Sequence, residues 1–186
     1  MVTVGLTDTN DPQAPHKPGI YTHADVDGKS ELTKIEPSMF TKAKVDPMGE
    51  ALKARLSGKD ASLRVPVRQP TFYFFFGENE SALSDTNGAA GFTLSKLEVK
   101  KSKSERRLVI TTGNEKKKNT VDLTIEKTVN STLKVTPSVD LADGEYCFVY
   151  LGMTPPKSYG LVPGNYGLAF CFSVQSSAPM SPKQKQ

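Results

Sequence analysis

The sequence contains few of the residues on which catalytic sites usually depend. Its 186 residues include only two histidines, His16 and His23, and both lie near the N-terminal end. A Ser/His/Asp or Cys/His nucleophilic set therefore cannot be assembled around a core that lies further along the chain. The glycine motifs of nucleophile elbows, dinucleotide sites and phosphate loops are also missing. We expect no catalytic residue, no cofactor and no enzymatic activity.

One stretch imitates part of a calcium-binding loop. Positions one, three, five and six of that pattern are occupied by His23, Asp25, Asp27 and Gly28. A calcium loop needs a bidentate glutamate at position twelve, and that position holds Lys34. The Asp27-Gly28 pair is instead a strong signal for a hairpin turn between residues 19–22 and 32–35. We predict a hairpin here and no metal site.

Long apolar runs and a hydrophobic leader are absent as well. No stretch approaches the roughly 20 apolar residues of a membrane-spanning helix, and the N-terminal region has no apolar core behind a basic start. We predict no membrane span. The compartment stays undetermined, but export or envelope association is the expectation if Met1 is a start residue added to a mature chain.

The chain has two cysteines, Cys147 and Cys171, each inside a strand-like run. Two cysteines do not make a disulfide framework, so we favour two buried free thiols that behave as small hydrophobic side chains. The alternative is a disulfide. It requires the two strands to be antiparallel neighbours, and it would indicate an oxidising compartment.

The net charge of +4 is small and localised. Residues 96–107 contain six Lys or Arg and two Glu, and residues 114–119 contain three Lys and one Glu. Such a mild bias does not favour a nucleic-acid partner. We favour a pair of charged loops that keep strand edges from pairing with other chains. The alternative is a cationic rim for an acidic partner or an anionic glycan, formed by Lys100, Lys101, Lys103, Arg106, Arg107, Lys116, Lys117 and Lys118.

A Gly/Pro-rich loop over residues 152–167 is the second candidate binding surface. It contains Tyr159 and Tyr166, which are the best candidates for exposed aromatic side chains. Long loops on a rigid sandwich carry binding more often than its strands do. We therefore add both tyrosines to the possible binding surface.

The strongest structural signal is the aromatic run Phe72-Tyr73-Phe74-Phe75-Phe76, which is followed by Gly77. Aromatic enrichment and the flanking Pro70 and Gly77 favour a strand over a helix. Because the run is apolar on both sides, it predicts a strand that is covered on both faces and lies at the centre of the core.

Alternation of apolar and polar residues predicts further strands. From Ala61 onward the candidates are Leu63 to Val67, Thr71 to Phe76, Phe92 to Val99, Arg107 to Thr112, Val121 to Ile125, Leu133 to Thr136, Glu145 to Leu151 and Leu168 to Val174. The Glu145 strand is apolar on both faces, which marks it as central. Frequent turns and missing crossover helices favour an all-β, antiparallel, Ig-like sandwich of about 8–10 strands. A partly open β-barrel is the alternative.

Helix formers, an early proline and Gly58 predict one short helix over residues 47–57, with a turn as the alternative. The polar composition of segments 1–18 and 176–186 predicts that they are flexible tails. The domain organisation is therefore a Pro-rich tail over residues 1–18, a single sandwich over 19–175 and a second tail over 176–186.

The order of short motifs resembles that of a set of uncharacterised bacterial β-domains. The matching motifs are Gly19-Ile20-Tyr21, Phe72 to Phe76, Phe92-Thr93-Leu94 with Lys100-Lys101 and Arg106, and Gly144-Glu145-Tyr146. The resemblance covers most of residues 19–174 and implies a bacterial β-sandwich, without an activity, cofactor or catalytic residue. The chain departs from the pattern in its last strand, where Phe170-Cys171-Phe172 replaces an acidic Phe-Asp-Phe.

Three functional hypotheses follow. The first is a non-enzymatic protein-interaction or structural module, a subunit of an envelope or secreted assembly that holds a protein partner or a second copy of itself. The second is a binding module for carbohydrate or another polyanion. The third and least favoured is a hydrolase that acts through two carboxylates, which need to lie about 5–10 Å apart in a cleft.

Overall fold

The computed structural model describes residues 17–26, 29–45, 51–75, 91–111, 119–128, 132–151 and 168–176. These residues form β-strands and one short 3-10 helix, Lys101–Lys103. The strands are β1 (Gly19–Val26), β2 (Lys29–Lys34), β3 (Pro37–Met39), β4 (Lys42–Val45), β5 (Ala51–Ser57), β6 (Leu63–Val65), β7 (Phe72–Phe75), β8 (Phe92–Lys96), β9 (Glu98–Lys100), β10 (Glu105–Thr111), β11 (Thr120–Val121), β12 (Leu123–Lys127), β13 (Thr132–Pro137), β14 (Gly144–Tyr150) and β15 (Leu168–Val174).

The strands are arranged in three sheets. The front sheet has the order β12-β13-β7-β1-β2, the middle sheet has the order β11-β8-β14-β15-β3, and the back sheet has the order β4-β5-β10-β9. Strand β6 joins the middle sheet as a parallel neighbour of β15, whereas the other pairings are antiparallel. The sheets are not closed into a barrel. The predicted all-β sandwich is therefore confirmed and the barrel alternative is wrong, but the described part alone has more strands than predicted.

The front core lies between the front and middle sheets and is built from aromatic rings. Phe72 packs edge-on against Phe148 with ring centroids 4.8 Å apart, and its ring lies 4.9 Å from that of Phe172. Phe74 makes a second edge-on contact to Phe148 at 5.1 Å. Such edge-to-face pairs stabilise a core beyond the area that they bury. All four rings are fully buried or nearly so.

The back core lies between the middle and back sheets and is built from smaller side chains. From the middle sheet it receives Cys147, Val149, Ala169 and Cys171, and from the back sheet Ala54, Leu56, Leu108 and Ile110. Strand β15 sends its large side chains to one face and its small ones to the other, and the small face meets the back sheet.

Strand β14, not β7, is covered on both faces. Every residue from Glu145 to Tyr150 is buried, which confirms the prediction that this strand is central. In β7 only alternate residues, Phe72 and Phe74, are fully buried, whereas Tyr73 and Phe75 are half-buried. The predicted two-sided coverage of the aromatic run is therefore wrong for residues 72–75, and Phe76 lies outside the described residues.

Cross-strand neighbours explain how an aromatic side chain is accommodated on the outward face of β7. Tyr73 lies opposite Tyr21 on one side and opposite Lys134 on the other. The His23 ring meets the Tyr73 ring edge-on at 6.3 Å. Aromatic residues suit such a half-covered sheet surface, so an apolar run does not by itself require a second covering layer.

The predicted helix over residues 47–57 is wrong where the structure describes that segment, since residues 51–57 form β5. Ala54 and Leu56 are buried in the back core, while Lys53 and Arg55 are exposed. A period of two places all apolar residues on one side of a strand. Burial of that side outweighs the weak preference of Ala, Leu, Lys and Arg for helix.

The predicted hairpin near the N-terminal end is confirmed. Strands β1 and β2 pair antiparallel, and Val26 lies opposite Lys29, so residues 27 and 28 connect them. The turn residues themselves and the predicted tail residues 1–16 and 177–186 lie outside the described part.

Two of the links between the middle and back sheets are only one or two residues long. The chain leaves β3 in the middle sheet and enters β4 in the back sheet through Phe40 and Thr41, and it passes from β8 to β9 at Leu97. The Leu97 N–H donates to the Glu145 carbonyl oxygen at 2.8 Å, and its side chain is buried in the back core. These links fix the back sheet on the middle sheet from both sides.

Cys147 and Cys171 form a disulfide between β14 and β15. The two residues lie directly opposite each other in the register, with Cα atoms 4.1 Å apart, and both are buried in the back core. The prediction of two free thiols is therefore wrong, and the disulfide that was its alternative is what the structure contains.

Candidate binding face

The outward face of the back sheet carries a cluster of basic side chains. Along β5 and β10, alternate residues such as Ala54, Leu56 and Leu108 enter the back core, and the residues between them face solvent. We call this solvent side the cationic face, defined by Lys42 and Lys44 on β4, Lys53 and Arg55 on β5, and Arg107 on β10.

The register places like charges beside one another on this face. Lys42 lies opposite Arg55, Arg55 lies opposite Arg107, and Lys44 lies opposite Lys53. Directly opposite residues of an antiparallel pair have Cβ atoms about 4.5–5.5 Å apart, and like charges at that distance destabilise the sheet. These like-charge neighbours therefore lower the stability of the sheet.

Three of the five cations have no acidic partner in the described residues. Lys42, Lys44 and Lys53 are exposed and form no ion pair there. Their ammonium groups therefore keep their charge available to a second molecule.

An open groove of about 320 Å³ runs over the cationic face. Ala54, Leu108 and Val109 contribute apolar surface to it, and the five cations and Glu98 complete its described lining. Val109 is 37% exposed within it. The volume of the groove is near the lower end of the range for ligand pockets, about 300–1,000 Å³.

Two acidic residues lie at the β9 end of the face. Glu105 accepts from Arg107 at 2.6 Å and lies 3.8 Å from Arg55, while Glu98 pairs with Lys100. The hydrogen bond from Arg107 lowers the pKa of Glu105, and the charges of Arg107, Arg55 and Lys103 lower it further. Glu105 therefore stays ionised and neutralises this end, so the free positive charge is concentrated on β4 and β5.

The structure describes five of the eight residues of the predicted cationic rim. Lys101 and Lys103 are exposed on the 3-10 helix, Lys100 pairs with Glu98, and Arg107 belongs to the cationic face. Five other predicted surface residues, Lys116, Lys117, Lys118, Tyr159 and Tyr166, lie outside the described residues. That the rim residues form one surface therefore stays a prediction.

Arg106 is not on the surface. Its side chain points into the molecule and its Nη1 atom lies 3.4 Å from Glu145 Oε2, with both side chains 6% exposed. Arg106 also donates to the carbonyl oxygens of Ser57 and Gly58, each at 3.2 Å. The prediction that Arg106 belongs to a binding surface is wrong, because its side chain is buried. Its hydrogen bonds connect β10 to β14 and to the end of β5.

Glu145 is held by two donors. Besides Arg106, the Ala61 N–H donates to Oε2 at 2.7 Å. Burial raises the pKa of Glu145, and the Ala61 and Arg106 interactions offset only part of that increase. This buried pair has a structural explanation, since it bridges the back and middle sheets at one end of the back core.

No group of three or more His, Cys, Asp or Glu residues that could hold a metal ion occurs in the part of the chain that the structure describes. Within the same residues, no helix is long and apolar enough to cross a membrane.

Four residues of the cationic face were missing from the predicted surface, namely Lys42, Lys44, Lys53 and Arg55. The signal for them is nevertheless in the sequence, since Lys42-Ala43-Lys44-Val45 and Lys53-Ala54-Arg55-Leu56 both alternate a basic residue with an apolar one. Two such segments predict strands with one charged face. That the two strands pair with each other is visible only in the structure.

Comparison of the chain with protein-family models, with curated proteins and with solved structures gives no match. The resemblance to bacterial β-domains and the Ig-like character of the sandwich therefore stay predictions.

Proposed function

We propose that the protein is a non-enzymatic interaction module that binds an acidic partner through the cationic face of its back sheet. The observation that carries the proposal is the register, which sets Lys44 against Lys53 and Lys42 against Arg55 while leaving the three lysines without acidic partners in the described residues. A partner with carboxylate or sulfate groups would relieve this repulsion. Complementary charge of this kind gives specificity and fast association.

Protection of a sheet edge does not account for the whole face. Lysines on an edge strand prevent pairing with other chains, which would explain Lys42 and Lys44 on β4. Lys53 and Arg55, however, lie on β5, which is flanked by β4 and β10. A strand inside a sheet has no open edge to protect, so the charges on β5 need a different explanation.

The disulfide supports a place for this module in an oxidising compartment. Such bonds persist in secreted and envelope proteins and are rare where thiols are kept reduced. With Cys147 and Cys171 bonded in the back core, we propose that the protein works in a secreted or envelope assembly. Protein isolated from its source with free thiols blocked during lysis should show no alkylated cysteine.

Binding to labelled poly-L-glutamate, measured by fluorescence anisotropy, tests the proposal. Lys53→Glu should weaken binding by about tenfold, because it replaces the central unpaired cation of the face with an anion. Binding by the unaltered protein should weaken as salt is added, since exposed charges are screened.

The matched control is Lys127→Glu, which makes the same change in net charge on β12 of the front sheet. This variant should bind almost as well as the unaltered protein. Equal losses in the two variants would show that only net charge matters and would contradict the proposed face. Binding to heparin but not to poly-L-glutamate would identify a sulfated glycan, rather than an acidic protein, as the partner.

A further inference from the structure

The back sheet ends at β4. In the described residues no strand pairs with the side of β4 that faces away from β5. The backbone N–H and C=O groups along such an edge can bind another extended chain. Strand addition at an open edge is a common way to bind a peptide, with affinity from main-chain hydrogen bonds and specificity from alternate side chains.

Other outer strands differ from β4 in their charge. On β9, Glu98 pairs with Lys100, and on β12, Glu126 pairs with Lys134 of the neighbouring strand. Strand β2 also contains residues of both signs, since its sequence is Lys-Ser-Glu-Leu-Thr-Lys. Strand β4, with the sequence Lys-Ala-Lys-Val, has only positive charge, and its neighbour β5 adds more on the same face.

We propose that β4 is a docking edge, where an extended acidic segment of a partner protein pairs as an additional strand of the back sheet. This inference rests on the proposed function and specifies the partner and its mode of binding. Lys42 and Lys44 are two residues apart on one face, so they repeat every 6.4–6.8 Å or so along the strand. An incoming strand with an acidic residue at every second position repeats with the same period.

The same charges argue against a second copy of this chain as the occupant. Pairing β4 with another β4 would set lysines beside lysines, and like-charge juxtaposition excludes wrong partners. A glycan would meet the ammonium groups but would leave the backbone groups of the edge unused, because it has no strand-forming backbone. An acidic peptide satisfies both sets of groups.

The test uses the full chain and two synthetic peptides that alternate glutamate with threonine, one of which has N-methylated backbone amides throughout. N-methylation leaves the side chains and their charge in place and removes every backbone donor. If the peptide adds as a strand, the unmodified peptide should bind at least about tenfold more tightly than the methylated one. Amide hydrogen exchange of residues 42–45 should slow when the unmodified peptide is bound.

A charge variant at the edge gives a second readout. Lys44→Glu should no longer bind the unmodified peptide, whereas Lys127→Glu on the front sheet should still bind it. Equal binding of the two peptides, or unchanged exchange over residues 42–45, would overturn strand addition while leaving the proposed anionic partner in place. Binding to heparin without binding to either peptide would also overturn strand addition and leave an anionic partner in place. Failure to bind either peptide, poly-L-glutamate or heparin would overturn both proposals.

Discussion

The front and back sheets pack against opposite faces of the same middle sheet, yet they are built differently. The front core is filled with interlocking aromatic rings, whereas the back core is filled with Ala, Val, Leu, Ile and one disulfide. Their outward faces also differ. On the front sheet Glu126 lies opposite Lys134 and pairs with it at 3.2 Å, whereas on the back sheet Lys44 lies opposite Lys53.

This difference indicates a division of roles between the two sheets. The front sheet has large buried rings inside and an opposite-charge pair outside, both of which favour folding. The back sheet has smaller side chains inside, where a disulfide and the Arg106–Glu145 pair add connections, and like charges outside. We infer that the front sheet mainly stabilises the fold and that the back sheet mainly presents a binding surface.

The largest expected effect tests the front core. Phe74→Ala should lower the free energy of unfolding by about 3–5 kcal/mol, because a fully buried ring is replaced by a methyl group in a tightly packed cluster. Urea unfolding of both proteins measures the difference. Its matched control is Tyr73→Ala on the same strand, whose half-buried side chain should account for less than half of that loss. Equal losses would contradict the one-sided burial of β7.

A smaller effect is expected in the back core when the disulfide is removed. Replacing both Cys147 and Cys171 with Ala should lower the free energy of unfolding by about 2–4 kcal/mol, since the bond closes a loop between residues 24 positions apart. Because both residues are buried, a reductant should not cleave the bond while the protein stays folded. Rapid loss of the bond under native conditions would show that the back core opens easily, which would widen the contrast with the front core.

The aromatic core was the most predictable part of the fold. Strands such as β13, β14 and β15 follow from short apolar runs, and the apolar character of both faces of β14 placed it at the centre. The coverage of β7 was not predictable in the same way. A run of aromatic residues has no polar positions to mark which side faces outward. The sequence of this run therefore does not show that its residues alternate between a buried and a half-buried face.

The candidate site was predictable only in part. Arg107 was in the predicted surface, but β4 was not predicted as a strand and β5 was predicted as helix, so their four basic residues were missed. Residues 51–57 are mostly good helix formers, but they form a strand because burial of one face against the back core outweighs helix propensity. The charge density of the face further depends on the pairing of β4 with β5, and pairing between separate segments is not encoded in the local pattern of either.

The ion pair at the end of the back core should make stability depend on pH. Burial raises the pKa of Glu145 in the folded protein above its ordinary value of 4.5. The stabilisation from this group is therefore full below pH 4.5 and is lost as the pH rises through the folded-state pKa. In Glu145→Gln the titration is absent, so the stability of the unaltered protein relative to the variant should decline as pH increases from 4.5. Urea unfolding at several pH values measures this. The opposite trend would show that the interactions with Arg106 and Ala61 outweigh burial.

The smallest expected effect separates stability from binding on the cationic face. Lys53→Glu places an acid opposite Lys44 and beside Lys42 and Arg55, so cross-strand repulsion becomes attraction. We expect the free energy of unfolding to stay the same or to rise by up to about 1 kcal/mol.

On the front sheet, Glu126→Lys should have the opposite effect, because it replaces an acid that faces Lys134. Thermal unfolding at low salt measures both variants, and high salt should reduce both differences. If Lys53→Glu strengthens the fold while it weakens binding to poly-L-glutamate, the positive charge at this position lowers stability and serves binding, as expected of a binding residue. If it weakens the fold, Lys53 has a structural role and the contrast between the two outward faces is lost.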